Sequence, residues 1–90
     1  MRTRNRIEIL CEILQVANGG ITTKRKIMYK VNLSYAQLKE YLIYLTEHGL
    51  LRYDLERHAF KTTEKGLRFL KAYDQMIYAL AEKPNLRAMQ

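Results

Sequence analysis

Apolar residues recur at helical spacing in the first segment of the chain, over residues 5–18. Five of them share one face: Ile7, Leu10, Cys11, Leu14 and Ala17. A second apolar strip, formed by Ile9, Ile13 and Val16, lies on the opposite side of the same helix. A helix that is apolar on two sides is buried on both. Because a small domain usually covers only one of them, we expect a second subunit to cover the other.

Two shorter helices follow, and each has its own start signal. Thr22 or Thr23 can cap a helix that runs to about Lys30. Ser34, with Gln37 three residues later, has the form of a capping box and starts a third helix. The core side of this third helix is a stripe of leucines: Leu38, Leu42 and Leu45. The tight connection at residues 32–33 joins the two helices into a predicted helix-turn-helix.

The hydrophobic period changes after Gly49. Residues 50–54 and 59–62 have the pattern of two strands, and a polar turn at residues 55–58 joins them into a hairpin. Ile21 can form a further short strand, and Thr62 or Thr63 can cap a last helix that runs to about Lys83. The order helix, short strand, helix, helix, hairpin, helix predicts an α+β, mainly α, winged helix-turn-helix fold.

The last helix carries a heptad seam, in which successive residues are spaced alternately four and three apart: Gly66, Leu70, Tyr73, Ile77 and Leu80. At about 20 residues it would be a rod of roughly 30 Å, longer than the body of so small a domain. Its far end would expose an apolar stripe in a monomer, unless the helix packs back on the first helix. We expect a homodimer whose interface includes Ile9, Ile13, Phe69, Leu70, Tyr73, Met76, Ile77 and Leu80.

The domain organisation follows from these elements. We expect the winged helix-turn-helix domain at residues 1–62, the dimerisation helix at residues 63–84 and a frayed tail at residues 85–90.

Positive charge is concentrated in the first third of the chain. The formal net charge is +7, and residues 1–30 hold seven basic and two acidic residues. Such an uneven excess attracts polyanions. On a helix-turn-helix it favours contacts to DNA phosphates over a purely solvated surface. The predicted DNA-binding residues are Lys24, Arg25, Lys26, Lys30, Ser34, Tyr35, Gln37, Lys39, Arg52, Arg57 and Lys61.

The third helix is the predicted reader of the major groove. Its exposed first turns hold Tyr35, Gln37 and Lys39. Gln37 can offer its amide to adenine, and Lys39 can offer a charge to phosphate or guanine. The alternative is an ordinary solvated helix face, which Glu40 favours because a carboxylate repels phosphates. The basic N-terminal residues Arg2, Arg4 and Arg6 form either a flexible DNA-binding arm or a disordered start.

Other function classes find little support in the sequence. One cysteine and two histidines without ligand spacing do not indicate a zinc site. A glycine-rich phosphate loop and a nucleophile elbow are both absent, so we expect no enzyme, no cofactor and no small-molecule substrate. No apolar stretch approaches the roughly 20 residues that span a bilayer. We therefore expect a cytoplasmic, nucleoid-associated protein without a membrane partner.

Three stretches resemble a known family. Residues 26–35, 41–51 and 60–66 are similar to the Sulfolobus 10a DNA-binding proteins and to related archaeal regulators of the ArnR type. The resemblance covers about residues 5–82. It implies a winged-helix head with a helix-turn-helix at Lys24–His48 and a wing at Arg52–Lys61, followed by an antiparallel coiled-coil dimerisation helix. It also implies sequence-tolerant binding of double-stranded DNA, in chromatin organisation or transcriptional control.

Two alternatives stay open at this point. Winged helices are often reused to bind partner proteins, so the chain can be a protein-interaction module that does not bind DNA. RNA is a lesser alternative, because the deep, narrow major groove of an A-form duplex excludes a helix.

Overall fold

The computed structural model describes residues 4–82. Within these residues, four helices and one antiparallel hairpin follow each other in the predicted order: α1 (Arg6–Asn18), α2 (Lys24–Val31), α3 (Tyr35–Glu47), β1 (Leu51–Asp54), β2 (Ala59–Thr62) and α4 (Glu64–Ala81). The mainly helical, winged helix-turn-helix architecture predicted from the sequence is therefore confirmed.

A side chain caps the start of each of these four helices. The Asn5 side chain accepts from the Glu8 amide in α1. Thr23 caps α2, and Thr63 caps α4 by accepting from the amide of Gly66, so the second threonine of each predicted pair is the one used. These caps satisfy amides that the first helical turn leaves without partners.

The turn between α2 and α3 depends on Asn32. Its φ of 58° lies in the left-handed region, and its amide donates to the carbonyl of Met28. Asparagine tolerates this conformation better than other residues with a Cβ atom. The chain therefore reverses within three residues and brings the start of α3 beside α2.

The hairpin of β1 and β2 forms the wing. Asp54 stabilises the turn between the two strands, because its carboxylate accepts hydrogen bonds from the backbone amides of Glu56 (3.0 Å) and Arg57 (3.1 Å). The expected strand at Ile21 is reduced to one bridge, in which Thr22 and Phe60 exchange both of their backbone hydrogen bonds. This bridge ties the segment before α2 to the wing.

The core lies where α1 packs against α2, α4 and β2. Its largest fully buried side chains are Ile13, Leu14, Ile27, Leu38 and Leu45. The three predicted leucines of α3 are all buried. The hydroxyl of Thr62 donates to the carbonyl of Leu14 (2.6 Å), which fastens the wing to α1.

The expected spare strip on α1 is largely covered by the chain itself. Ile13 is fully buried, and Leu70 on α4 is buried as well, so neither of these predicted interface residues has side-chain surface left for a second subunit. Ile9 and Val16 are partly buried against the same core. The prediction was wrong for Ile13 and Leu70, because α1 packs against α2, α4 and β2 of the same chain and these contacts cover both side chains. Ile7, expected in the core, is instead 47% exposed.

Cys11 behaves as a small apolar residue. It is buried in the core, as expected. Burial raises the pKa of its thiol to about 11, and the nearby carboxylates of Asp74 and Glu12 add to the shift. The thiol is therefore protonated at neutral pH and is a poor nucleophile.

The C-terminal half of α4 extends beyond the core. Its partly buried residues Phe69 and Tyr73 lie against the core, whereas Met76, Ile77 and Leu80 are 51%, 44% and 76% exposed. The helix ends at Ala81, slightly before the predicted end at Lys83. Lys83, Pro84 and the predicted tail at residues 85–90 lie outside the described residues.

Candidate nucleic-acid interface

All predicted DNA-binding side chains are exposed. This set comprises Lys24, Arg25, Lys26, Lys30, Ser34, Tyr35, Gln37, Lys39, Arg52, Arg57 and Lys61. Within residues 4–82, none of the cations among them forms a salt bridge. Their charge is therefore not neutralised by neighbouring carboxylates in the part of the chain that the structure describes.

Five of these cations lie in two separate places. Lys24, Lys39 and Arg52 line one groove between α3 and the wing. Lys26 and Lys30, one helical turn apart on α2, line a separate shallow depression beside the loop that follows α1. The sequence predicted all five as DNA contacts, and it gave no sign of this division.

Lys24 and Tyr35 connect the starts of α2 and α3. The ammonium group of Lys24 lies 4.7 Å from the centre of the Tyr35 ring and donates to its hydroxyl over 3.3 Å. A cation above an aromatic face is attracted to its negative charge density. This contact holds a positive charge beside the first turn of α3, the part of a recognition helix that lies nearest to base edges.

Gln37 and Ser34 are already engaged with each other. The amide oxygen of Gln37 accepts from the backbone amide and the hydroxyl of Ser34, both over 3.1 Å. The hydroxyl of Ser34 in turn accepts from the amide of Gln37 (3.2 Å). The capping box is thus present as predicted, and reading adenine with both ends of the Gln37 amide would break it.

One face of α3 is directed toward the wing. Tyr35, Lys39, Ile43 and Thr46 follow each other at helical spacing and line the groove. Across from them, Leu51, Tyr53 and Phe60 of the hairpin form the opposite wall. The groove has a volume of about 620 Å³.

The wing presents two cations side by side. Arg52 of β1 is directly opposite Lys61 of β2, and both are exposed. Like charges in this position repel each other and destabilise a hairpin. An anion between them would remove the repulsion.

The sequence comparison identifies the family. A family model described as winged helix-turn-helix matches residues 3–80, which is most of the chain. The chain belongs to the winged helix-turn-helix family.

Two archaeal proteins are similar to this winged helix-turn-helix chain. An uncharacterized protein of Methanocaldococcus jannaschii is 27% identical over 81 residues, covering 90% of this chain and 81% of that protein. The crystal structure of Sso10a-2, a DNA-binding protein from Sulfolobus solfataricus, superposes with a TM-score of 0.74. The sequence identity to Sso10a-2 is 23%, and the match covers 96% of this chain and 88% of that one. The winged-helix fold implied by the resemblance to the Sulfolobus 10a proteins, with a C-terminal helix after the wing, is therefore confirmed.

The basic start of this winged helix-turn-helix chain is not a free arm at Arg4. Its guanidinium group pairs with the carboxylate of Glu12 and donates to the carbonyl of Val31 (2.7 Å). Arg4 therefore fastens the start of the chain to the end of α2. Arg6 lies 5.9 Å from the centre of the Tyr41 ring, and Arg2 lies outside the described residues.

Sequence reasoning missed several residues of the site. Ile43, Thr46 and Tyr53 line the groove beside the predicted DNA contacts. The helical spacing of Ile43 and Thr46 from Lys39 was the available signal, but the position of the wing depends on long-range packing. In the described part of the chain there is no cluster of His, Cys, Asp and Glu able to hold a metal ion. Nor does that part contain a helix long and apolar enough to span a membrane.

Proposed function

We propose that this winged helix-turn-helix protein binds double-stranded DNA, with α3 in the major groove and with α2 and the wing on phosphates. The observation that carries the proposal is the convergence of Lys24, Tyr35, Lys39 and Arg52 around the exposed face of α3. An α-helix fits the major groove of B-DNA, and cations on each side of the helix can bind the phosphates of the DNA backbone. Sso10a-2, which has the same fold, is a DNA-binding protein, and this likeness supports the assignment.

The test is the salt dependence of duplex binding. We expect labelled duplex DNA to bind at about 50 mM salt and to be released steeply towards about 200 mM, because bound phosphates displace counterions. With about four phosphate contacts per domain, the logarithm of the association constant should fall with a slope of roughly −4 against the logarithm of salt. Fluorescence anisotropy measures both quantities. If no duplex binds at low salt, the DNA-binding proposal is wrong and a protein-interaction role takes its place.

We also propose that the protein is a homodimer through the far end of α4. Met76, Ile77 and Leu80 are exposed there, and the seam they continue fits a second copy of the same helix. Of the interface residues predicted from the sequence, Phe69 and Tyr73 can contribute only the part of their surface that the core leaves uncovered. A two-fold dimer would present two α3 helices to one duplex and would increase the salt dependence.

Replacing Ile77 and Leu80 by glutamate is expected to produce monomers, because four charges would meet at the paired seam. Light scattering at several protein concentrations measures the mass. The matched control is Lys71→Glu, which changes the net charge by the same amount at an exposed position off the seam. A wild-type protein that is already monomeric at high concentration would refute the dimer.

The biological role is either chromatin architecture or local transcriptional regulation on the nucleoid. Both follow from a DNA-binding dimer, and they differ in how many sites are occupied. A genome-wide map of bound DNA separates them, because broad coverage indicates an architectural protein and a few peaks indicate a regulator.

A further inference from the structure

The groove between α3 and the wing has the dimensions of a small-molecule site. Its volume of about 620 Å³ lies within the range of roughly 300–1,000 Å³ that is common for ligand pockets. The apolar side chains along it come from α3 and from both strands of the wing: Leu42, Ile43, Leu51, Tyr53 and Phe60. An apolar groove of this size on the proposed DNA-binding face can take a ligand other than DNA.

The charge of the groove indicates which charge that ligand carries. Three cations line it, namely Lys24, Lys39 and Arg52, and no acidic residue does. Among the described residues, Lys39 has no hydrogen-bond or ion-pair partner. An apolar cleft bordered by uncompensated positive charge is complementary to a molecule that has an apolar body and one negative group.

The aromatic side chains of the groove indicate the shape of the ligand's apolar body. Tyr35 stands on the α3 side, and the rings of Tyr53 and Phe60 stand on the wing side, 4.9 Å apart. Flat aromatic molecules pack on such rings in offset or edge-to-face arrangements. We propose that this groove binds a small aromatic carboxylate, whose ring lies between α3 and the wing and whose carboxylate pairs with Lys39 and Lys24.

Binding of such a ligand would oppose DNA binding. The carboxylate would take up the charge of Lys39 and Lys24, which the proposed function assigns to phosphates. The ring would also fill the space between the recognition helix and the wing. The competition depends on the proposed DNA-binding function, whereas the binding of the carboxylate does not.

The test of binding uses 1-naphthoate and its neutral analogue 1-naphthalenemethanol, each titrated into the full chain without DNA. We expect 1-naphthoate to shift the amide resonances of residues 35–46 and 51–60 in NMR spectra, with a Kd of about 1 mM or tighter. The neutral alcohol keeps the ring and loses the charge, so it should bind at least about tenfold more weakly. Equal binding of both compounds, shifts confined to other surfaces, or no shifts with 1-naphthoate would each overturn the proposal.

Variants test which residues hold the ligand. Lys39→Gln should weaken the binding of 1-naphthoate about tenfold, while leaving the weak binding of the alcohol unchanged. Ile43→Glu should abolish the binding of both compounds, because it puts a negative charge into the apolar wall. Lys71→Gln removes the same charge from α4, away from the groove, and should not change the affinity for 1-naphthoate. Thermal melts of all variants check that each is folded, and a folded Ile43→Glu protein that still binds 1-naphthoate would contradict the site.

Competition is measured separately, by adding 1-naphthoate to the DNA complex at constant ionic strength. We expect saturating 1-naphthoate to raise the Kd for duplex DNA at least about tenfold, and 1-naphthalenemethanol to have little effect at the same concentration. Binding of 1-naphthoate without any effect on DNA affinity would overturn the competition. Failure of the duplex to bind in the absence of ligand would refute the proposed function and leave the carboxylate site intact.

Discussion

Replacing Gly66 by alanine is expected to destabilise the protein by about 3 kcal/mol, although alanine is the better helix former by about 1 kcal/mol. A Cβ atom at this position would lie 2.2 Å from the carbonyl oxygen of Leu50 and 2.7 Å from Cγ2 of Thr62. The carbonyl belongs to the backbone before the wing, and it also accepts from the amide of Thr63 (3.1 Å). The first turn of α4 would therefore have to move away from the wing.

Urea denaturation of wild type and variant measures this loss. Gly19→Ala is the matched control, because a Cβ atom there meets nothing closer than the carbonyl oxygen of Val16 at 3.8 Å. The φ of Gly19 is −75°, which alanine adopts without strain, so its effect should stay within about 0.5 kcal/mol. A Gly66→Ala protein as stable as wild type would mean that α4 does not approach the wing as closely as described.

Local features of the fold could be predicted from the sequence because their causes are local. Ser34 and Gln37 are three residues apart, and that spacing alone produces the capping box that begins α3. The leucines of α3 recur with the helical period, so their shared burial follows from the same spacing. The hairpin strands could be found in the same way, from a change of period after Gly49.

The sequence could not predict which apolar residues of α1 and α4 are buried. The periodicity of Ile13 and Leu70 showed correctly that they are apolar positions on helical faces. It did not show whether a second subunit or another part of the same chain covers them. Both side chains are buried in the core of the same chain. Ile7 has the spacing of a core residue, yet it lies one turn too near the start of α1 to be covered. Such outcomes depend on how helices cross, which no short window of sequence contains.

The groove between α3 and the wing could not be predicted from the sequence, for a related reason. Its residues come from α2, α3 and both strands of the wing, together with Gly49 before the wing and Thr63 after it, and they span positions 24 to 63. Each cation was identified correctly as exposed, and Lys39 and Arg52 were both expected to contact DNA. Their joint position across an apolar cleft follows only from the packing of the wing against α3, which the bridge between Thr22 and Phe60 helps to fix.

Replacing Arg25 and Lys39 by glutamine is expected to weaken DNA binding strongly and to reduce its salt dependence. Each side chain is exposed and has no salt bridge within residues 4–82, so each is free to neutralise a phosphate. Removing two phosphate contacts per domain should lower the slope of the salt dependence by about 2 for each domain bound, and it should lower the affinity at low salt by at least about tenfold. Fluorescence anisotropy over a range of salt concentrations measures both changes.

Arg68→Gln with Lys71→Gln is the matched control, because it removes one arginine and one lysine from exposed positions on α4. Both double variants have the same net charge, so a general attraction of a basic protein to DNA would weaken equally in the two. Contacts made by the helix-turn-helix would weaken in the first double variant only, since its cations lie on α2 and α3. Equal losses in both would show that net charge attracts the duplex without α3 entering the groove. A loss confined to the α4 variant would move the DNA-binding surface to the C-terminal helix.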